Sequence, residues 1–333
     1  MDVLTLDDPR VVHKQLQVKD DITYHYMVAS PDCTPTATVL LLHGWPDLAI
    51  DWRYQITFLL LHGIQVIAPD LLGYGKTSAP ADIAAYTLKR LSAHLAQLIR
   101  AETDLPVILG GHDWGSYLAW RLALYSPELV KGIFSFTVPY FPPTPVVVTL
   151  EEFVQANPSF QYQLQLASPV AEEIVDRSES HLRGFLRSSF GGVTPQGLPG
   201  FDPAVGLVED RLLEVGPSPL VSEELIDHYV KGYSLHGANS PMNWYRTRTL
   251  NGEDEIPLAE SNQQLLIPAM IIMTGQDQAF TPSLLDGQEA FFPAGLMKGV
   301  INEASHWALI HTHVETNRYI GEFLDVVLQR KTR

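Results

Sequence analysis

Short apolar runs alternate with amphipathic stretches along the first 140 residues, and the two kinds of stretch have different periods. Val11 to Val18 and Ile22 to Val28 alternate apolar and polar positions around Asp20-Asp21, which predicts an opening β-hairpin. Thr36 to Leu42 reads as a buried strand, Trp52 to Leu61 as a helix and Ile64 to Ala68 as the next strand. Tyr86 to Ala101 places Leu88, Leu91, Leu95, Leu98 and Ile99 on one helical face. A strand over Val107–Leu109, a helix over Tyr117–Tyr125 and a strand over Gly132–Val138 follow. Strands separated by helices predict an α/β fold with a parallel sheet and right-handed crossovers.

The pattern breaks at Pro139-Tyr140-Phe141-Pro142-Pro143-Thr144-Pro145, which can continue neither a helix nor a central strand and so marks a hinge. From there to Asn262 helical patterns are interrupted by Gly/Pro loops, with the longest irregular stretch running from Gly191 to Pro203. The reading is a core of residues 1–140 and 263–333, with 141–262 inserted as a mainly helical cap laid over the sheet. Strand patterns return at Leu265–Thr274 and Met297–Asn302, and a terminal helix is predicted over Glu315–Gln329.

Composition narrows the class. The 333 residues are 46% apolar and 18% charged, enough for one large globular domain with an insertion. A net charge of -16 argues against binding to nucleic acid or an anionic membrane, both of which need basic patches. Cys33 is the single cysteine, so an intrachain disulfide is excluded. Met1 to Asp8 has no leader pattern, no apolar run is long enough for a membrane anchor, and Lys331-Thr332-Arg333 is not a peroxisomal ending. A soluble, cytoplasmic protein is expected, with a homodimer left open.

The candidate chemistry starts at Gly111-His112-Asp113-Trp114-Gly115, between a strand and a helix, where a nucleophile elbow would sit. Its flanking glycines suit a strained central residue packed tightly between strand and helix. That residue is Asp113. A carboxylate is already ionised at neutral pH and can displace a leaving group from an sp3 carbon to give an alkyl-enzyme ester. Water must then attack the ester, so a general base is required. Alone, the pentapeptide reads equally well as an Asx-turn or a helix N-cap. Asp277 and His306 also follow predicted strands, where a parallel sheet presents its ligand crevice. The order nucleophile, acid, histidine is that of the α/β-hydrolase triad. His306 would take a proton from water and Asp277 would orient it. In His43-Gly44-Trp45-Pro46-Asp47, a loop that a cis Trp45–Pro46 peptide would fix, Trp45 offers a backbone N–H. With the N–H of Trp114 it would form an oxyanion hole.

Taken together, the chain resembles an α/β-hydrolase-fold epoxide hydrolase of the soluble type. The matching pieces are His43–Asp47, Trp52–Ile56, Gly73–Pro80, Gly111–Gly115, Asn157–Leu164, Asn243–Arg246, Asp277 with Pro282, and Ser305–Trp307. The resemblance implies a mostly parallel eight-stranded sheet and no cofactor or metal. It also implies hydrolysis of a small apolar epoxide to a vicinal diol, with Tyr162 and Tyr245 of the cap as proton donors to the ring oxygen. Phe160 and Gln163 of the same motif would help bind substrate. The sequence departs from the pattern at Gln165-Leu166-Ala167-Ser168-Pro169, which is expected to alter the pocket wall.

Other signals carry less. His112 is expected to serve in packing, and Asp47 and Asp51 to cap loops. His311 and His313, two apart on one terminal helix, would not share a face. No His/Cys/Asp grouping has zinc spacing, and Gly73-Tyr74-Gly75 lacks phosphate-loop context. The nearest alternative is a haloalkane or haloacid dehalogenase using the same Asp-His-Asp set. It differs by needing N–H donors for a halide where an epoxide needs the two phenols. A non-catalytic ligand receptor is a second alternative, although binding alone has no use for a base and its orienter.

Overall fold

The computed structural model describes residues 2–261 and 263–329, so Met1 of the opening octapeptide, the cap boundary at Asn262 and the Lys331-Thr332-Arg333 ending lie outside the described residues. Eight strands form one sheet: β1 (Val11–Gln17), β2 (Thr23–Ala29), β3 (Ala37–Leu42), β4 (Ile64–Pro69), β5 (Val107–His112), β6 (Val130–Phe136), β9 (Ala269–Thr274) and β10 (Leu296–Ile301). A separate hairpin of two-residue strands, β7 (Phe201–Asp202) with β8 (Gly206–Leu207), precedes β9 in the chain. The sheet order is β1-β2-β4-β3-β5-β6-β9-β10. Only β2 runs against its neighbours, so the sheet is mostly parallel as predicted. Strands β3, β5 and β9 are buried along their whole length, the mark of central strands covered on both faces.

The helices of the first half are α1 (Arg53–Leu61), α2 (Leu88–Glu102) and α3 (Trp114–Tyr125). Between β6 and β9 come α4 (Leu150–Ala156), α5 (Tyr162–Ala167), α6 (Pro169–Val175), α7 (Glu179–Ser189), α8 (Glu209–Leu212), α9 (Glu223–Tyr233), α10 (Asn239–Arg246) and α11 (Arg248–Ser261). The chain closes with α12 (Ala308–His311) and α13 (His313–Val327). No helix among the described residues is long and apolar enough to cross a membrane.

Differences from the sequence reading have local causes. The opening hairpin turns at Asp20 and Asp21, both at positive φ (61° and 56°), which the short polar Asp side chain tolerates. The ladder predicted from Leu265 begins at Ala269, because Pro268 has no N–H to contribute. His311 and His313 belong to two helices, not one. The irregular stretch from Gly191 to Pro203 leads into the β7–β8 hairpin, whose two-residue strands are too short to show a period.

The chain divides into two compact units: residues up to Leu71, Leu88–Pro145 and Glu255 onward in one, and Leu72–Thr87 with Val146–Asp254 in the other. Within the second unit, Trp244 Nε1 donates to the Leu72 carbonyl at 3.0 Å. Gly73 stands at φ 90°, which favours glycine, and a Cβ there would lie a tight 3.1 Å from Ser240, so this Gly-rich segment packs closely on α10. Within the first unit, buried Arg121 of α3 grips Glu255 through Nε (2.7 Å) and Nη2 (2.8 Å) and donates through Nη1 to the Phe141 carbonyl (2.9 Å). One guanidinium thus ties together the segment leaving β6 and the segment that returns toward β9.

Arg121→Met should strand the Glu255 carboxylate in the interior and cost about 3–5 kcal/mol, whereas Arg121→Met combined with Glu255→Leu should recover most of that loss. Urea unfolding midpoints measure both; a single change costing under about 1 kcal/mol would contradict this role.

Candidate active site

Three loops at the carboxyl ends of parallel strands meet in the first unit. The elbow joins β5 to α3. Asp113 sits there at φ 50°, ψ -124°, a conformation costly for a non-glycine residue. The glycines on either side explain why it is held. A Cβ at Gly111 would lie 2.4 Å from Ser116 Cα, and one at Gly115 would lie 2.0 Å from the Leu42 carbonyl oxygen. Strand, turn and helix therefore close together only with glycine at both places. The Asp113 side chain makes no N-cap bond, so the capping explanation of the pentapeptide does not hold.

The β3 exit loop carries the second element. Trp45–Pro46 is cis, and the Trp45 N–H donates to Asp113 Oδ1 at 2.9 Å. Behind it, His43 is wholly buried and bridges two loops. Its Nδ1–H donates to the Gly44 carbonyl (2.8 Å), and its Nε2 accepts from the Leu71 N–H (2.9 Å). Burial holds its pKa below the ordinary histidine value against the pull of Asp70, which suits a ring acting as one donor and one acceptor. Trp114 opens α3, so its N–H points out of the helix end.

The third element joins the β9 and β10 loops. His306 Nδ1–H donates to Asp277 Oδ2 at 2.6 Å, and His306 Nε2 lies 3.7 Å from Asp113 Oδ2. Asp277 Oδ1 accepts from the N–H groups of Ala279 (2.8 Å) and Phe280 (3.0 Å). Burial would raise the Asp277 pKa, but His306 and these backbone donors outweigh it and hold the group below the usual carboxylate range. For His306, burial disfavours the imidazolium, yet the charge and hydrogen bond of Asp277, then the charge of Asp113, push its pKa up to about 9. Its side chain is 25% exposed.

His112, expected to serve in packing, is buried as expected but does more: its Nε2–H donates to the His306 carbonyl at 2.8 Å. Burial, then the nearby His306 charge, lowers its pKa to about 4, so this ring stays neutral. Sequence reading missed both His43 and His112 as supports. Both lie in the His43–Asp47 and Gly111–Gly115 motifs at strand ends, but nothing local shows which backbone groups they bond.

Tyr162 and Tyr245 both lie in the second unit. They are buried, with ring centroids 6.2 Å apart and edge to face. Arg246 accounts for that pairing. It donates from α10 to the Ala167 (3.0 Å) and Ser168 (3.3 Å) carbonyls at the end of α5, to Glu172 (2.7 Å) and to Asn243 (2.8 Å). The Asn243–Arg246 motif is thus a bracket between the two tyrosine-bearing helices. Phe160 packs near Tyr162 with centroids 6.5 Å apart, and Gln163 Nε2 lies 3.5 Å from the Tyr162 hydroxyl. At the departure from the family pattern, Gln165 pairs with both backbone groups of Leu207 (2.6 and 3.0 Å), and the hairpin carries Phe201 edge-on against Tyr162 at 5.6 Å.

A strand-end Asp on a tight turn, an acid-oriented histidine and an eight-stranded mostly parallel sheet with a helical insertion define a hydrolase of the α/β-hydrolase fold, and the model of that fold family matches residues 37–192. The chain is 53% identical to the epoxide hydrolase srdG of Neurospora crassa over 98% of its own length and 99% of that protein's. It is 31% identical to the bifunctional epoxide hydrolase 2 of Sus scrofa over 96% of its own length, but spans only 56% of that protein's. Among solved structures, epoxide hydrolase VrEH1 from Vigna radiata superposes with a TM-score of 0.80 at 26% identity, over 95% of this chain and 98% of that one. The chain belongs to the epoxide hydrolases.

Since the Asp113 charge helps hold the His306 proton, Asp113→Asn should lower the His306 pKa from about 9. Titration of the histidine ring nitrogens by NMR reads this directly; an unchanged or higher value would contradict the coupling.

Proposed function

We propose that the protein hydrolyses a small apolar epoxide to a vicinal diol through an ester on Asp113. The observation that carries this reading is the orientation of His306, held by Asp277 through Nδ1 with Nε2 toward Asp113 Oδ2. Asp113 Oδ1 is engaged by the Trp45 N–H, which leaves Oδ2 as the attacking atom. As Oδ2 bonds to a ring carbon, the C–O bond breaks and the ring oxygen takes a proton from the Tyr162 and Tyr245 phenols. A phenol is protonated at neutral pH and can serve as that acid.

The ester then has Oδ1 as its carbonyl oxygen. Water gives a proton to His306 Nε2 and attacks Cγ of Asp113, and negative charge develops on Oδ1. The N–H groups of Trp45 and Trp114 stabilise it, a contribution of about 3 kcal/mol per donor in comparable sites. Collapse releases the diol oxygen, which takes its proton from His306, and the remaining proton restores the phenol. Esterification removes the Asp113 charge, so the His306 pKa falls below its resting value just when a neutral base is needed. Phe160 and Gln163 would line the substrate site beside Tyr162. The chemistry needs no cofactor.

In a single turnover in 18O-water, the label should appear in Asp113 and be absent from the first diol released; label in that diol would sink the ester mechanism. Replacing Tyr162 and Tyr245 together with Phe should reduce ester formation by at least roughly 10²–10⁴-fold, the usual weight of general acid catalysis. Epoxide turnover surviving the double change would remove both tyrosines from the mechanism.

A further inference from the structure

One buried cluster in the first unit is not used by the mechanism above. The ligand-type atoms of Asp47, Asp51 and His112 lie within 4.8 Å of one another, and all three residues are 0% exposed. Spacing in the sequence gave no sign of this, since Asp47 and Asp51 read as loop caps. Asp47 does serve its loop, with Oδ1 accepting from the Leu48 N–H at 2.8 Å. Asp51 is different. Its Oδ1 accepts from Arg53 Nη1 at a long 3.3 Å, and its Oδ2 has no hydrogen-bond partner among the described residues.

The facing histidine makes this costlier. A carbonyl can only accept, so His112 Nε2 carries the hydrogen donated to the His306 carbonyl, and the neutral ring turns a bare lone pair outward at Nδ1. That atom also lacks a partner among the described residues. A buried carboxylate held so loosely is expensive, and a neutral residue of the same shape would serve packing better. The expense has a use next to a base that becomes charged. The His112 and His306 rings have centroids 4.8 Å apart. The charged and titratable groups around His306 are Asp277, Asp113, His112 and, farther off, Asp51; those around Asp51 are Arg53, Asp47, His112 and His43.

We propose that Asp51 is a positioning residue for the base: with His112 gripping the His306 backbone, Asp51 supplies fixed negative charge that favours the imidazolium formed when water is deprotonated. This rests on the Asp113–His306 reading above and adds to it a carboxylate that never touches substrate.

Asp51→Asn tests it, keeping the shape and an acceptor for Arg53 while removing the charge. Two readouts apply to the full chain: NMR titration of His306, which needs no turnover, and transient kinetics of ester formation and breakdown with a small aryl epoxide. The expected result is a His306 pKa lower by about 0.5 unit or more. Ester formation should stay within about twofold of the parent, while breakdown slows by about 3–10-fold at its plateau with its acid limb moved to lower pH. Arg53→Gln removes the counter-charge and should move the His306 titration the other way, which guards against a poorly folded Asn variant. An unmoved His306 titration in both variants, or equal slowing of both half-reactions, would overturn the proposal. Absence of an Asp113 ester in the parent protein would instead refute the mechanism it builds on, and the NMR arm tells the two failures apart.

Discussion

Everything in the first unit's site depends on one backbone conformation, Asp113 at positive φ on the turn from β5 to α3. No hydrogen bond from its own side chain to the helix end supports it. It is held by close packing: Gly111 against α3, Gly115 against the end of β3, and Gly44 against the Asp113 side chain itself, where a Cβ would lie 2.4 Å from Asp113 Cβ. Three missing methyl groups let strand, helix and loop approach closely enough to present one carboxylate to both an N–H donor and an imidazole. The strain at a single residue is thereby balanced by the packing of the central sheet.

Around that carboxylate the charges are arranged so that one histidine is a strong base and two are not. His306 has Asp277 bonded to Nδ1 and is partly open to water, so its proton is held up to about 9. His43 and His112 are fully buried, and desolvation keeps them neutral. A neutral imidazole is a rigid bridge with one donor and one acceptor, which is how His43 joins the β3 and β4 loops. The same residue type can hold a proton or stay a neutral bridge, and burial together with a bonded carboxylate decides which.

The second unit solves a different problem, that of holding two phenols beside each other on separate helices. Arg246 reaches from α10 to the last carbonyls of α5, where a cation suits the negative end of the helix. Gln165 reads the backbone of Leu207 as a neighbouring strand would, and Gly206 at φ 91° has its Cβ position blocked by that same amide. The departure from the family pattern at Gln165 thus secures the hairpin that carries Phe201 to Tyr162.

The sheet, its parallel sense and the elbow were legible in the sequence, because apolar runs with two distinct periods and a Gly-X-Asp-X-Gly turn are local signals. So were Asp113, Asp277 and His306, since strand ends in a parallel sheet all open on one edge and their loops are short. Tyr162 and Tyr245 stand out from 13 tyrosines only through the motifs around them, as no period distinguishes a reactive phenol from a packed one. Tertiary structure alone decided the rest. It placed Asp51 and Asp47 beside His112, made His43 a bridge, put the Leu72–Thr87 segment with the helical unit, and joined Arg121 to Glu255 across 134 positions. Each depends on desolvation and on contacts between residues far apart in the chain, and neither burial nor a distant partner leaves a mark on the local pattern of side chains.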